Sequence, residues 1–443
     1  MNRPQPTPAA MRVEALPLMG WRQTFVSLQI PGFSWYFGGS MSMFFGVQMM
    51  IVLRGALVVD LTDSEAALGL IMATVAFPWL VLSPIGGVIA DRVDKRSLLL
   101  WTQALITLLN LLNTLLITTG VIQYWHLLIL STVSGSIFAF NMPGRQAMVP
   151  ELVGKERLMN AISLMTGGMN VSRIVAPALG GILVAPIGFG GGFAVATCFF
   201  ALSVLSMWHV PSTGAVARTT EFTFTRDLAE GFQYIRRSTV ILALLLFATV
   251  PVLFAMPYQA LLPAFAEKVW DVGPTGLGVL FMAVGAGGVL GALLTANMET
   301  FPRKGLLMFL GALGFGAFLV FFALSPSFGL ALPFLAGVGF SSMIYMTVNN
   351  TVIQTVVPDE VRGRVMSVMM MSWGLMPLGA FPAGIIAEAY GSPVAVAGGA
   401  TLLLLFATAL YIGAPAFRRI DATVEEAMAE RRRRPMPAKA TPG

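Results

Sequence analysis

Between Phe33 and Phe417 the chain is a succession of apolar runs separated by short polar breaks. The runs fall near Phe33 to Val59, Ala66 to Ala90, Ser97 to Thr119, Trp125 to Ala147, Leu158 to Pro186 and Gly191 to Val210. A second set follows near Val240 to Phe265, Thr275 to Met298, Gly305 to Leu324, Gly329 to Val356, Val365 to Tyr390 and Val394 to Phe417. A helix needs about 20 apolar residues to cross the hydrocarbon core, and each run reaches that length. Lipid offers no hydrogen-bond partners, so each run closes its own backbone bonds as a helix; the runs are too long for the roughly ten-residue alternating strands of a barrel. The pattern predicts an all-α integral membrane protein of twelve transmembrane helices. Its parts are a cytoplasmic arm (1–32), a six-helix half (33–210), a cytoplasmic linker (211–239), a second six-helix half (240–417) and a basic cytoplasmic tail (418–443).

The two sets echo each other. "VPELVGKERLMNAIS" from Val149 leads through a helix to "GGILVAPIG", and "VPDEVRGRVMS" from Val357 leads through a helix to "AGIIAEAYG". "LGLIMATVAF" from Leu68 pairs with "LGVLFMAVGA" from Leu277 at a separation of 209, and Pro150 pairs with Pro358 at 208. A duplicated unit with an even number of spans gives two parallel halves related by an axis along the membrane normal.

Composition strengthens this picture: 56% of the 443 residues are hydrophobic, mean hydropathy is +0.79, and no segment is left that would build a soluble domain. Charge sets the orientation. With both termini inside, 24 of the 27 lysines and arginines fall in cytoplasmic segments. Only Lys268 lies outside, while Arg54 and Arg173 sit within spans; the outer turns carry Asp60, Asp63, Glu65, Glu267 and Asp271. The first run is too long for a signal-peptide core and reads as a retained span. The lone Cys198 excludes an internal disulfide. In the linker, "DLAEGFQYIRR" suits an interfacial amphipathic helix, and the tail run Arg431 to Arg434 follows an acidic, helix-like stretch. Tyr124, Trp125, His126, Trp208 and His209 stand at span ends as interfacial anchors.

The stretch "GGVIADRVDKR" from Gly86 packs five charges behind the second run. With twelve spans in two halves, it resembles the major facilitator superfamily over essentially the whole chain. The superfamily's loop signature is matched by Gly87, Asp91, Arg92, Lys95 and Arg96, with Asp94 where glycine is usual. Asp94, "VPDEVRGRVMS" and "PLGAFPAG" resemble the branch of enterobactin exporters and macrolide efflux proteins. The resemblance implies a cytoplasmic latch: Asp91, at the unfavourable C-terminal end of its helix dipole, would face the N-terminus of the eleventh span near Arg362 and Arg364. Gly87 would permit close approach and Arg92 would hold Asp91. The plainer reading is that these charges only set topology, and Lys95 and Arg96 fit that role.

Charged groups inside spans cost at least a few kcal/mol and are functional candidates by default. Arg173 lies near mid-depth of the fifth span, as a cavity residue or as a structural arginine bonded to a neighbouring helix. Arg54 either faces a cavity or turns outward toward Asp60. The resemblance places both on cavity-lining spans. Gln48, Asn141, Asn170, Tyr258, Gln259, Asn349, Asn350 and Trp373 complete the substrate-binding candidates, although most such polar groups serve as glue between helices. "SRIVAPALGG" resembles the fifth-span signature of the superfamily's antiporters: Pro177, Gly180 and Gly181 match, and Ser172 and Ala176 replace glycine. No carboxylate lies at mid-depth, so Asp60 and Glu388 near the outer face are the proton-coupling candidates.

The resulting expectation is a monomeric, multi-pass inner-membrane secondary transporter with no cofactor or metal and no nucleic-acid partner. It would export an amphipathic small molecule, siderophore-like or a drug, by proton-linked alternating access. The alternatives are an uptake symporter for an organic anion, an integral-membrane enzyme, for which no cluster of His, Cys or carboxylate exists at one depth, and a receptor, for which no output domain exists. No Walker-type loop is present, so ATP-driven export would need a separate subunit.

Overall fold

The computed structural model describes residues 25–212, 238–298, 303–358, 374–413 and 420–433, with single residues at 233, 235, 236, 301, 361, 365, 366, 368, 369, 371 and 372. Helices account for nearly all of it, and no strand occurs among the described residues. After a 3-10 turn at Val26–Gln29 come α1 (Pro31–Thr62), α2 (Glu65–Arg92), α3 (Lys95–Thr118) and the long α4 (Tyr124–Trp208). Past the linker follow α5 (Thr239–Phe254), α6 (Tyr258–Ala264), α7 (Gly273–Asn297), α8 (Lys304–Ala323), α9 (Phe328–Val356), α10 (Met376–Tyr390), α11 (Ser392–Gly413) and α12 (Ile420–Arg433). Among the described residues ten helices are long and apolar enough to cross a membrane.

Helix α4 is three legs joined end to end. Its backbone leaves helical geometry only at Gly154 (φ 68°) and Gly188 (φ 66°), the left-handed region that a side chain disfavours. Each glycine lets the chain turn without a loop, so residues 124–153, 155–187 and 189–208 correspond to the fourth, fifth and sixth apolar runs. The seventh run differs from the sequence reading: it breaks at residues 255–257, between α5 and α6. Pro251 and Pro257 supply the cause, since each removes a backbone donor.

Other ends are capped by side chains. Ser64 Oγ accepts from Ala67 N at 3.2 Å and opens α2; Asp63 closes α1 in the left-handed region (φ 50°). The acidic stretch of the tail is the helix α12, whose Ile420 and Val424 are buried against α8 and α9. Its Asp421 Oδ1 accepts from Gly305 N at 2.7 Å and caps the N-terminus of α8.

The buried residues form clusters within residues 25–212, within residues 235–424, and between the two parts; Ala264, for example, packs into the cluster built on Met49, Leu53 and Phe193. The end of the bundle that carries the turns at Asp63 and Gly391 is called the outer end below, after the orientation expected from the charges.

Candidate functional site

At the outer end the N-terminal and C-terminal parts are locked together. The carboxylate of Glu388, near the end of α10, accepts at Oε2 from Ser64 Oγ (2.9 Å), Glu65 N (2.7 Å) and Ala66 N (3.3 Å). It therefore caps the N-terminus of α2 across more than 320 residues of sequence, where the helix dipole favours an anion. Lys268 makes the companion contact, reaching the Asp63 carbonyl (2.7 Å), Asp63 Oδ1 (3.0 Å) and Glu65 Oε2 (3.0 Å). Asp60, the other proton-coupling candidate, is exposed.

Small residues continue this closure inward. A Cβ on Gly69 would stand 2.6 Å from the Ala380 carbonyl oxygen, and one on Gly374 would collide with Leu80. The fifth-span signature behaves alike: Gly181 abuts the Pro274 carbonyl, Gly278 lies against the Pro177 carbonyl (2.7 Å), and Gly180 against Met49. Ala176 and Ser172 are fully buried, and Ser172 Oγ bonds the Gly168 carbonyl at 3.0 Å. So the small-residue pattern does bring the fifth span against α7 of the other part.

Beneath this closure lies a cavity of about 390 Å³ walled mainly by apolar side chains of α1 to α4, among them Met50, Trp79, Phe138 and Phe200, with Met376 and Pro377 of α10. Arg54 projects into it and donates from Nη1 to Ser131 Oγ at 3.3 Å, and among the described residues no carboxylate pairs with it. Asn113 supplies the complement: its Oδ1 is buried and unbonded. Asn110, Ser134 and Gln259 add further polar groups to the wall. The site thus offers a cation and an acceptor in apolar surroundings, in the size range of small-molecule pockets.

The expected binding set divides on this geometry. Arg54 and Gln259 line the cavity, and Arg54 does not pair with Asp60. Gln48 and Asn170 lie outside its wall, and Tyr258 is buried edge-on to Phe315 instead. Asn141 is glue: fully buried, it donates to Thr102 Oγ1 at 2.7 Å. Asn349 and Asn350 line a separate, smaller cavity. Trp373 lies outside the described residues.

Arg173 is exposed and stands apart from the Arg54 cavity. Its leg of α4 shows two exposed stripes. Val171, Val175, Leu179 and Ile182 form an apolar one; Ser163, Thr166, Asn170 and Arg173 form a polar one, with Asn170 half-buried. At 100° per residue Arg173 lies about 200° from Val171 and Val175, so the polar stripe turns away from the lipid-type face.

The loop signature also resolves in part. Asp94 N-caps α3: Oδ2 accepts from Ser97 N (2.9 Å) and Oγ (2.7 Å), and Oδ1 accepts from Ser212 Oγ (2.8 Å). This explains an aspartate where glycine is usual. Partial burial works against its ionisation, but the bonds from Ser97 and Ser212, with Arg96 nearby, outweigh that and hold its carboxyl below the ordinary range. Lys95 pairs with Glu151 at 2.6 Å and Arg96 Nη2 donates to the Trp208 carbonyl at 2.7 Å, so both do more than set topology. Arg92 is exposed. At Gly87 nothing lies within 4 Å of the Cβ position, and a close approach falls instead at Gly86, against the Ala139 carbonyl. The Asp91 side chain and Arg362 and Arg364 lie outside what the structure describes.

Arg145, counted among the cytoplasmic charges, is only 3% exposed, and α4 runs on past it through Pro143 and Pro150 to Gly154. Its guanidinium meets Ser40 Oγ, Asn141 Oδ1 (3.4 Å) and Met43 Sδ (2.8 Å), and lies 5.8 Å from the Tyr36 ring centre. Gln103 satisfies both its neighbours only with its oxygen toward Arg145 Nη2, at 2.6 Å, and its nitrogen toward Ser203. The signal for this burial is present in "FNMPGRQ", where Asn141 precedes Arg145 by one turn and both fall within the run that ends at Ala147.

Comparison with known proteins agrees with this architecture. Residues 22–439 match the family described as transmembrane secretion effectors, a branch of the major facilitator superfamily. Curated relatives include the enterobactin exporter EntS of Shigella boydii serotype 18 and of Escherichia coli O1:K1. Each is 26% identical over 308 residues, 69% of this chain and 73% of the relative. Among solved structures, a bacterial homologue of the human lysosomal transporter Spinster, inward-facing and unoccupied, aligns at 14% identity. Its TM-score is 0.65, over 92% of this chain and 99% of that one. A POT family transporter in complex with a thioalcohol-conjugated peptide aligns at 13% identity with a TM-score of 0.70, over 87% and 96%.

Proposed function

The chain belongs to the transmembrane secretion effector family, a family of membrane transporters, and we propose that it exports an amphipathic small molecule by alternating access. The parts before and after residues 211–239 would act as two six-span halves of a monomer in the inner membrane, with both termini cytoplasmic. The observation that carries this reading is the Arg54 cavity lying beneath a sealed outer end. A sealed outer end over a binding cavity is the geometry of a conformation loaded from inside. The unobstructed Gly87 fits it, since the inner latch would engage only when the inner ends close.

The cavity favours a largely apolar molecule carrying one acidic or acceptor-rich head for Arg54 and a donor for Asn113. A catecholate siderophore has that character, and the relatives named as enterobactin exporters support this class; a macrolide-type drug is the second substrate class. The polar stripe through Asn170 and Arg173 would line the path from the inner side.

Energy would come from an ion gradient. Glu388 would make the outer gate proton-responsive, because protonating it removes the negative charge that the donors and the dipole at the start of α2 favour. Asp91, with Arg362 and Arg364 opposite, would form the inner latch of the outward-open state.

Binding tests this reading. Purified protein titrated with a catecholate siderophore and with a macrolide should show saturable affinity for at least one of them, weakened in Arg54→Ala. Equal affinity in wild type and variant would remove Arg54 from the site.

A further inference from the structure

The fourth and tenth spans are copies, and their registers coincide closely. Asn141 and Asn349, Gln146 and Gln354, and Pro150 and Pro358 all lie 208 residues apart. In the N-terminal copy the Asn141 amide is fully used. Its Nδ2 donates to Thr102 and its Oδ1 accepts from the guanidinium of Arg145, one turn along the same helix. In the C-terminal copy Ile353 stands in Arg145's place, and the equivalent amide oxygen is left without a donor. Asn349 is 3% exposed, yet its Oδ1 has no hydrogen-bond partner; neither has the buried Oδ1 of Asn350.

Both asparagines line one cavity of about 20 Å³, bounded also by Pro251, Met256, Tyr345 and Ser372. A space of about 10–15 Å³ admits one water-sized particle, so this cavity holds a single small ligand. Its chemistry is that of oxygen acceptors. The Tyr345 hydroxyl is already committed to the carbonyls of Phe247 (2.8 Å) and Ala248 (3.2 Å), the first of which Pro251 deprives of its helical donor. Ser372 Oγ and Thr249 Oγ1 form a hydroxyl pair 2.9 Å apart. Among the described residues no carboxylate lines the cavity, which disfavours a divalent ion. The neighbouring span is broken at residues 255–257. Neutral oxygens beside a broken helix are a setting in which transporters hold monovalent coupling cations.

We propose that Asn349 and Asn350 form a binding site for one small monovalent cation, of the sodium class. The C-terminal part would then bind a mobile cation where the N-terminal part carries a fixed one, Arg145. Ion binding in this site would bridge α5, α9 and the eleventh span, which Ser372 represents, and so favour one packing of these three elements over another.

The test reads binding rather than transport, so its outcome is separate from that of the export reading. The purified full chain is assayed for radioactive sodium binding and for thermal stability in sodium chloride against choline chloride at equal ionic strength. The wild type is expected to bind one sodium per chain and to melt at a higher temperature in sodium. Asn349→Ala should weaken binding, and Asn349→Asp should tighten it, each by at least about tenfold, because the second adds an anionic ligand in a low-dielectric site. Each variant is compared with its own choline baseline, which separates a folding defect from lost binding. Absence of sodium-specific stabilisation in the wild type, as when the cavity takes only water, or unchanged sodium binding in Asn349→Ala, would overturn the proposal.

Discussion

The Glu388 carboxylate lies 2.7 Å from the backbone amide of Glu65, and so the last turn of α10 caps the first turn of α2 from the other part of the molecule. Under the proposed alternating access this cap would also be a gate: opening the outer end would expose three donors at the start of α2 and free the carboxylate, and closing it would restore them. The Lys268 contacts to Asp63 and Glu65 work in the same sense from α6's end of the interface.

Locking this contact should stop transport. With Cys198 replaced by serine, a Ser64→Cys and Glu388→Cys pair should be bridged by a short, reducible bis-methanethiosulfonate cross-linker, because Ser64 Oγ and Glu388 Oε2 are 2.9 Å apart and the shorter cysteine at 388 leaves a gap for the linker. Transport should fall at least tenfold and recover with reductant. Transport that survives quantitative cross-linking would show that this end does not open.

Lys268 should matter less. Its side chain is 29% exposed, and surface ion pairs contribute about 0–1 kcal/mol, so Lys268→Ala should shift gate opening by about fivefold at most. Because Lys268 and Glu388 both act on Glu65, Lys268→Ala and Glu388→Gln should be non-additive in a double-mutant cycle read by accessibility of an outer-end cysteine. Strict additivity would mean that the two contacts serve separate gates.

Arg54→Ala should dissociate stability from function. A half-buried cation hydrogen-bonded to a serine rather than to a carboxylate is costly, so removing it should leave the melting temperature of the substrate-free protein unchanged or raised. Transport KM should rise by about tenfold or more if the guanidinium meets the substrate's acidic head. A variant that melts earlier and transports with unaltered KM would assign Arg54 to scaffolding.

Asp94 offers a pH signature away from the membrane core. Asp94→Ala removes an N-cap and should cost about 1 kcal/mol, whereas Asp94→Gly should cost only a few tenths. The folded carboxyl titrates below its ordinary value, so its contribution is complete at neutral pH and above about pH 4, and is lost as pH falls through the depressed value. Melts of wild type and Asp94→Ala should therefore differ by a constant amount from pH 5 to 8 and converge in stronger acid. A difference that changes between pH 5 and 8, or persists undiminished in stronger acid, would contradict the capping role.

The spans were legible because lipid imposes a length and a helical backbone on every crossing segment, and that rule survives in residues as different as Phe33 and Leu405. The breaks were less so. Gly154, within the charged stretch "ELVGKER", and Gly188, within "PIGFGGG", each turn the chain at a single residue, so the sequence shows two breaks where the helix is only kinked. Proline carried opposite meanings: α5 ends between Pro251 and Pro257, whereas Pro143 and Pro150 leave α4 continuous. Arg145 read as a loop charge because its partners Ser40, Gln103 and Asn141 are neutral and two of them lie on other helices. For the site, Arg54 was visible as a charge within a run, but Asn110, Asn113 and Ser131 were not, since polar neutral residues are common on spans and only tertiary packing gathers these around one cavity.

The most direct measurement is accumulation of a catecholate siderophore in everted inner-membrane vesicles that contain the wild type or Arg54→Ala, with and without an imposed ion gradient. The account predicts gradient-dependent accumulation by the wild type that the variant largely loses. Accumulation confined to right-side-out vesicles would make the protein an importer and contradict it.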